Sequence, residues 1–499
     1  MTSNLRARRF VPWCLAVVSG LMLAASFEPV GLGPLAWFAL VPLLWAVSSA
    51  EDAKAAANLG AVAGLVFYAF SLVWLVKIFG AAAPAFWCLF ALSLALYAAL
   101  LKRLESAAGA GALWVLLAGV VWTGIEYFRS ELWWLECSWL ALGYSQIANL
   151  PVLQSISVWG LYGLSGLIAA ANAAAMLLLK GKRTPAYVMI GVLSVTFILG
   201  RQRIRELPVE RGPELSVALV QDESFDAGGL AALSLRPGAR EADLLVWPEY
   251  AFAVRPGREE RYRKMLADKL RDSRSVAVIG AAAFPEAKGD RMRNYSWVLA
   301  PGGASLGSYD KLHPVPYVEH NLPANPDPRP VDTPLGRLGL QICYDLDFED
   351  GVRAMVRQGA QLLVVTNLDP MEWGAWEHAQ HSAMSPARAV ESGLWIARAA
   401  SSGVSQIIDP LGRVRGSLPA GESGVLLGKV RLARAGTPYT AWGWLIAPLC
   451  LALTMLLGLP VLLRRTGELL RRSPTVRELI AEPLPGGPAR GSHRPPRGP

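Results

Sequence analysis

Charge is what this chain has little of: 17% of its 499 residues are Asp, Glu, Lys or Arg, against 53% that are hydrophobic. Soluble domains carry about a quarter charged residues, so a wholly aqueous setting is excluded for much of the chain. Cysteine is scarce too. Of the five, Cys14, Cys88 and Cys450 lie in long apolar runs, Cys137 in a loop and Cys343 in the most polar region. They form no disulfide framework. Histidine also occurs five times, and the closest pair, His378 and His381 in "EHAQH", is three residues apart with Glu377 outside the H-E-x-x-H order. No metal-ligand spacing results, and no metal or other cofactor is expected. No internal repeat is evident.

Apolar length, by contrast, is abundant. A membrane span takes roughly 20 mostly uncharged residues, and eight runs qualify, at about 11–27, 31–49, 58–79, 84–104, 111–129, 157–179, 185–200 and 441–463. The first follows Arg6, Arg8 and Arg9 in the manner of a secretory signal, but more spans follow at once and no small-residue cleavage site precedes them. It reads as a retained anchor. If all eight runs cross, Lys54, Lys102, Arg103, Lys180, Lys182, Arg183, Arg464, Arg465, Arg471 and Arg472 share one side with the N-terminal arginines. Lys and Arg mark the cytoplasmic side. The chain then divides into a membrane domain over 1–204 with seven spans, a soluble domain over 205–437 on the opposite side, an eighth span within 438–465 and a basic tail over 466–499. The tail, "EPLPGGPARGSHRPPRGP" at its end, is too rich in Pro and Gly to bury a core, and disorder beside anionic headgroups is expected of it. The net charge of +9 resides in these short loops and the tail. A lipid bilayer accounts for it, and no nucleic-acid partner is implied.

The soluble domain alternates short β-branched runs with helical segments. "LSVALVQ" (215–221), "DLLVWPE" (243–249), "SVAVIGAAA" (275–283), "NYSWVLAP" (294–301), "RLGLQICYD" (337–345), "QLLVVTN" (361–367), "LWIARAA" (394–400) and "VSQIIDP" (404–410) read as strands, while "REERYRKMLADKLRDS" and "FEDGVRAMVRQGA" read as helices. This pattern predicts a layered α/β domain with helices over a buried sheet.

Ligands and catalytic groups collect at strand ends in such sheets. Glu249 follows "LLVW" and Pro248, Lys311 stands in "YDKLHPVPYVE", and Cys343 ends "LGLQI". Each alone has an ordinary reading: a solvated loop charge, a surface lysine, an inert buried thiol. Together they carry a chemistry. A thiol near pKa 8.5 attacks acyl groups once a base takes its proton, and the resulting oxyanion needs a fixed positive donor.

The order and context of "WPE", "DKLHPVPYVE" and "GLQICYD" resemble the nitrilase superfamily of carbon-nitrogen hydrolases, whose Glu-Lys-Cys triad is presented after strands of an αββα sandwich. With eight spans added, the chain resembles the membrane-embedded branch of that superfamily, the apolipoprotein N-acyltransferases, over about residues 10–465. "GYSQ" (143–146), "WGLYGLSG" (159–166), "ICYD" (342–345), "ARAVESG" (387–393) and "IIDPLGRV" (407–414) carry that resemblance.

The resemblance implies a polytopic helical membrane domain carrying an extracytoplasmic nitrilase-like sandwich, in a bacterial inner membrane with the sandwich facing the periplasm. It implies two steps: a phospholipid donates an acyl chain to Cys343 as a thioester, and the α-amine of a diacylglyceryl-modified apolipoprotein takes it. Glu249 is the implied base, Lys311 with the Tyr344 backbone N–H the oxyanion donor, and Glu319 a further carboxylate that orients Lys311 or the amine. A monomer is expected. Trp133, Trp134 and Trp139 either line a lateral entrance for acyl chains or form an interfacial aromatic belt. Glu126 and Arg129 are spaced to pair on one helix face.

Departures cluster around the implied pocket. Asp345 stands where the family usually has Glu, "TNLDPMEWG" keeps Asn367 and Trp373 but inserts residues between them, "DESFDAGG" lacks an expected Asn-Ile-Pro and a Trp, and Pro314 replaces a more flexible residue. Two other readings share these residues: a membrane-tethered amidase, in which water resolves the acyl-cysteine, and a scaffold without activity, which the retained triad disfavours.

Overall fold

The computed structural model describes residues 2–255, 258–284, 292–319, 322–433 and 436–458. Five helical segments are long and apolar enough to cross a membrane: Ala53–Ser71, Leu75–Ala107, Ala112–Leu132, Ile156–Leu179 and Arg183–Glu206. Three shorter apolar segments, Phe10–Ala25, Gly33–Ser48 and Gly443–Gly458, fall within the other expected spans. The end of the eighth run and the basic tail lie outside the described residues.

Two of the expected runs are broken rather than continuous. The run at 31–49 splits into a 3-10 turn, Gly33–Trp37, and a helix, Val41–Ser48, each with a proline in its first turn. Proline is tolerated there because the N–H it lacks has no intrahelical partner. The run at 58–79 ends its long helix at Ser71 and resumes as a short one, Leu75–Phe79. That interruption places Leu72, Trp74 and Leu75 where the soluble domain reaches the membrane domain. Small residues bring the helices together: a Cβ on Gly60 would stand 2.3 Å from the carbonyl oxygen of Leu94 on the neighbouring helix.

The soluble part is a sandwich. One sheet runs in the order Gly424–Arg431, Glu214–Gln221, Leu244–Val246, Val276–Ala283, Arg293–Leu299, Ser305–Asp310, with Phe252–Val254 pairing beside Val276–Ala283. The other runs Val414–Leu418, Ser405–Ile408, Ile396–Ala400, Leu362–Asn367, Gly336–Ile342, Val331–Thr333. In both sheets the central strands are parallel and the outer pairings antiparallel. Alternation along Glu214–Gln221 shows why two layers form. Leu215, Val217 and Leu219 enter a core shared with Leu338, Leu340 and Ile342 of the facing sheet, whereas Ala218 and Val220 face Leu230 and Leu266 on the covering helices.

Helix Ala375–Ser392 joins the two domains. Its Met384, Ala387 and Val390 belong to the membrane-domain core, and its Ala389 to the sandwich core. Arg388, fully buried, donates to the carbonyls of Leu346 at 3.0 Å and Asp347 at 2.7 Å and to the Tyr144 hydroxyl at 3.0 Å, and pairs with Glu391. Glu391 in turn accepts from the backbone N–H of Leu161 at 2.7 Å. The segments "ARAVESG", "GYSQ" and "WGLYGLSG" thus meet at one junction.

Candidate active site

The three strand-end residues converge. Strand Leu244–Val246 stops three residues before Glu249, Ser305–Asp310 delivers Lys311, and Gly336–Ile342 delivers Cys343. Glu249 reaches its place because Gly280, on the neighbouring strand, has no side chain: a Cβ there would lie 2.0 Å from the Pro248 carbonyl oxygen. The two sheets are tied at this end by the hydroxyls of Ser296 and Thr366, 2.9 Å apart. Cys343 itself has φ +48, a left-handed conformation that is strained for a residue with a Cβ and that recurs at functional positions.

Lys311 is pinned between two carboxylates. Its Nζ lies 2.9 Å from Glu249 Oε1 and 2.8 Å from Glu319 Oε2, with the side chains of Lys311 and Glu249 exposed by 1% and 2%. Glu319 is held by three further donors: the Tyr250 hydroxyl at 2.7 Å, the Val315 N–H at 2.8 Å and Asn294 Nδ2 at 3.0 Å. Burial opposes the ammonium of Lys311, but Glu249 and Glu319 outweigh it and hold its pKa well above the ordinary value. Burial raises the Glu249 pKa, Lys311 pulls it down and Glu319 pushes it up, and the net direction is upward. Glu319, where Lys311 overcomes burial, is shifted downward. Cys343 is pushed well up, first by burial and then by Glu249, with Lys311 opposing. A resting thiol with a nearby base describes this centre better than a preformed thiolate.

Asp345 fastens the lysine loop to the cysteine turn. It accepts from the N–H groups of Ile342 at 3.0 Å, Leu312 at 3.0 Å and His313 at 2.7 Å and from the Tyr309 hydroxyl at 3.0 Å. The shorter side chain is therefore fully used. Tyr344 donates its hydroxyl to the Glu136 carbonyl of the membrane-domain loop.

Cys343 opens onto a largely apolar cleft. Its walls come from both domains: Leu72, Trp74, Leu75, Ile78, Phe79, Phe86 and Phe90 from the membrane helices, Val315–Val318 from the loop after Lys311, Trp139, Tyr344 and Trp373, and the polar side chains of Glu377 and His381. The three expected tryptophans separate here. Trp139 is buried in the wall, its ring 4.7 Å from that of Trp74. Trp133 packs on Phe90, and Trp134 is 59% exposed against Tyr317. Glu126 and Arg129 are buried in the membrane domain, where Arg129 donates to the Trp139 carbonyl at 3.1 Å.

Beside Cys343 stands a cluster that no sequence pattern announces. Ligating atoms of Cys343, Asp369 and His381 all lie within 4.8 Å of one another. A metal fits poorly, since His381 Nδ1 is already 2.7 Å from Asp369 Oδ1 and Nε2 is 3.3 Å from Asp347 Oδ1, whereas a ligating imidazole must present a free lone pair. No sequence pattern announces Asn294 either, which donates to both Glu249 and Glu319. "EHAQH" signals no zinc site; its helical spacing puts Glu377 and His381 one turn apart on one face.

The fold and the Glu-Lys-Cys convergence define a carbon-nitrogen hydrolase type of sandwich, and residues 216–437 match the family model described as "Carbon-nitrogen hydrolase". Residues 19–174 match a second, "Apolipoprotein N-acyltransferase N-terminal domain". The apolipoprotein N-acyltransferase of Geobacter metallireducens is 33% identical over 88% of this chain and 93% of its own length. Those of Gloeobacter violaceus and Rhodopseudomonas palustris are 28% and 29% identical, each over 90% of this chain and over 94% and 95% of their own lengths. The chain belongs to the apolipoprotein N-acyltransferase family. It is a membrane-embedded acyltransferase, and an amidase reading leaves the match over residues 19–174 unexplained.

Proposed function

We propose that this enzyme moves an acyl chain from a phospholipid to the α-amine of a diacylglyceryl-modified lipoprotein by way of a thioester on Cys343. The observation that carries this is the placement of a buried thiol, beside a lysine held by two carboxylates, in an apolar cleft shared with membrane helices. An acyl chain entering from the bilayer meets mostly apolar and aromatic walls, with Glu377 and His381 the polar side chains among them.

In the first step Glu249 takes the thiol proton as Sγ bonds to the ester carbonyl carbon. The oxyanion is stabilised by Lys311 and the Tyr344 N–H. The C–O bond then breaks and the lysophospholipid oxygen leaves with the proton from Glu249. In the second step the lipoprotein amine attacks the thioester carbon, the C–S bond breaks, and Glu249 returns the amine's proton to Sγ. Glu319 holds Lys311 in place, and Asp345 keeps the lysine loop against the cysteine turn. Trp139 lines the acyl cleft, while Trp133 and Trp134 buttress its edge.

The eight-span topology and domain boundaries read from the sequence go with this scheme. A monomer in the bacterial inner membrane, its sandwich facing the periplasm, would meet both lipid substrates at the outer leaflet. Complementation tests the reading. Expression in a bacterium depleted of its own N-acyltransferase should restore growth and yield lipoprotein peptides carrying an amide-linked acyl chain. Release of free fatty acid without amide formation would instead indicate a hydrolase.

A further inference from the structure

The mechanism leaves unused a group of buried charges beside Cys343, where the apolar cleft meets the sandwich. His381, on helix Ala375–Ser392, is fixed on every side. Nδ1 is 2.7 Å from Asp369 Oδ1, Nε2 is 3.3 Å from Asp347 Oδ1, and the ring lies 5.4 Å from that of Trp139, whose Nε1 donates to Asp347 at 2.6 Å. Arg398, on strand Ile396–Ala400, is 3.1 Å from both Asp369 Oδ2 and His381 Nδ1. The short approach of Nδ1 to a carboxylate requires a proton on Nδ1, so the guanidinium donates to Asp369 and not to the ring. Glu377, one turn earlier on the same helix, is 3.7 Å from Nδ1, and His378 beyond it turns to the Pro370 carbonyl. His381, Asp369, Asp347, Glu377 and Arg398 are all essentially buried.

The formal charges of the group sum to zero when His381 carries a proton. Asp369 and Asp347 bring two negative charges and Arg398 one positive. Glu377 is driven well up by burial and by Asp369, toward its neutral form. An imidazolium at His381 closes the sum to zero. Burial opposes that proton, but Asp369 and Asp347 prevail and hold the His381 pKa up to about 10. A neutral ring would leave a net negative charge beside a sulfur that must itself become negative, in a site where burial, Glu249 and Asp369 already oppose ionisation.

We propose that His381 is a positioning residue for the nucleophile: its proton neutralises the carboxylates beside Cys343, so that the sulfur can carry negative charge when Glu249 takes its proton. This rests on the reading of Cys343 as the nucleophile and adds to it a group that makes and breaks no bond in either step. Its signature is electrostatic, and a purely structural role would not reproduce it.

The test is the pH dependence of Cys343 alkylation by iodoacetamide, followed on the Cys343 peptide by mass spectrometry with full-length protein in nanodiscs. His381→Gln should slow alkylation at pH 7 by about tenfold or more, a tenfold change corresponding to one unit in the thiol pKa, and leave the plateau at high pH unchanged. Asp369→Asn combined with His381→Gln removes one charge of each sign. It should return the rate to within about threefold of the wild type, and Asp347→Asn with His381→Gln should do the same. An unchanged profile in His381→Gln, or double variants slower than the single one, would overturn the proposal. So would failure of the charge-balanced double variants to assemble in the membrane. The reading of Cys343 fails separately, if Cys343→Ser still transfers acyl chains, and the alkylation profiles do not depend on transfer.

Discussion

Glu249 and Glu319 share one amide group: Asn294 Nδ2 lies 2.6 Å from Oε1 of the first and 3.0 Å from Oε1 of the second. The two carboxylates also share Lys311, so one cation and one amide bridge them, while Tyr250 and Val315 hold Glu319 as well. A hydrogen bond to a charged group contributes about 1.5–3 kcal/mol, and Asn294→Ala should slow thioester formation by about 10- to 150-fold. Asn294→Asp, which sets a third carboxylate against the pair, should slow it further. Single-turnover labelling of Cys343 with an alkyne-tagged phospholipid gives both rates, and a wild-type rate in Asn294→Ala would remove Asn294 from the account.

The pH profile separates the two carboxylates. Glu249 must be ionised to act as a base, and burial moves its pKa upward, so activity should fall as pH drops through a midpoint above that of ordinary glutamate. Lys311, held well above its usual range, should cause no loss between about pH 7 and 9. Glu249→Gln should flatten the acid limb at a cost of about 10²- to 10⁴-fold. Glu319→Gln, which frees the oxyanion donor, should lower the whole curve by up to about 10²- to 10³-fold with its shape kept. A flattened limb in Glu319→Gln and not in Glu249→Gln would reverse the two roles.

Asp345 occupies a position where glutamate is the expected residue, yet its two oxygens already accept four hydrogen bonds and its side chain is fully buried. An added methylene has no room. Asp345→Glu should therefore destabilise the sandwich by about 1–3 kcal/mol and lower the rate, although it restores the family's usual residue. Thermal unfolding of the purified protein, read together with turnover, checks this; equal or greater stability would mean that the lysine loop adjusts freely.

The membrane arrangement has its own test. Singly placed cysteines probed with a membrane-impermeant reagent should react from the periplasmic side near residue 260 and from the cytoplasmic side near residues 181 and 475. A cytoplasmic residue 260 would separate the sandwich from lipoproteins on the outer leaflet.

Much of this was legible in the sequence because strand ends are marked locally. Pro248 before Glu249 and the β-branched run before Cys343 place both groups without tertiary information, and eight of the strands lie within or beside runs of apolar residues. The strands Val414–Leu418, Ser305–Asp310, Val331–Thr333 and Gly424–Arg431 have no clear sequence pattern since edge strands are half exposed and mix polar with apolar residues, and Phe252–Val254 is too short to show one. The breaks within two apolar runs were missed because hydropathy registers length and not continuity. The cluster around His381 is assembled from a strand end, a 3-10 turn, a helix and a second strand, far apart in the chain, and no local pattern announces such a meeting. Trp139 stands out in the sequence for its indole and its loop, but two of its partners, Asp347 and His381, belong to the other domain.

The central claim is that the acyl chain rests on Cys343 between donor and acceptor. Wild-type protein in nanodiscs, given a tagged phospholipid and no lipoprotein, should gain the mass of one acyl chain on the peptide containing Cys343. Neutral hydroxylamine should remove it, and a diacylglyceryl-peptide amine should discharge it as an amide, while Cys343→Ser should neither label nor transfer. A hydroxylamine-sensitive label on Cys137, or transfer that persists in Cys343→Ser, would contradict the account.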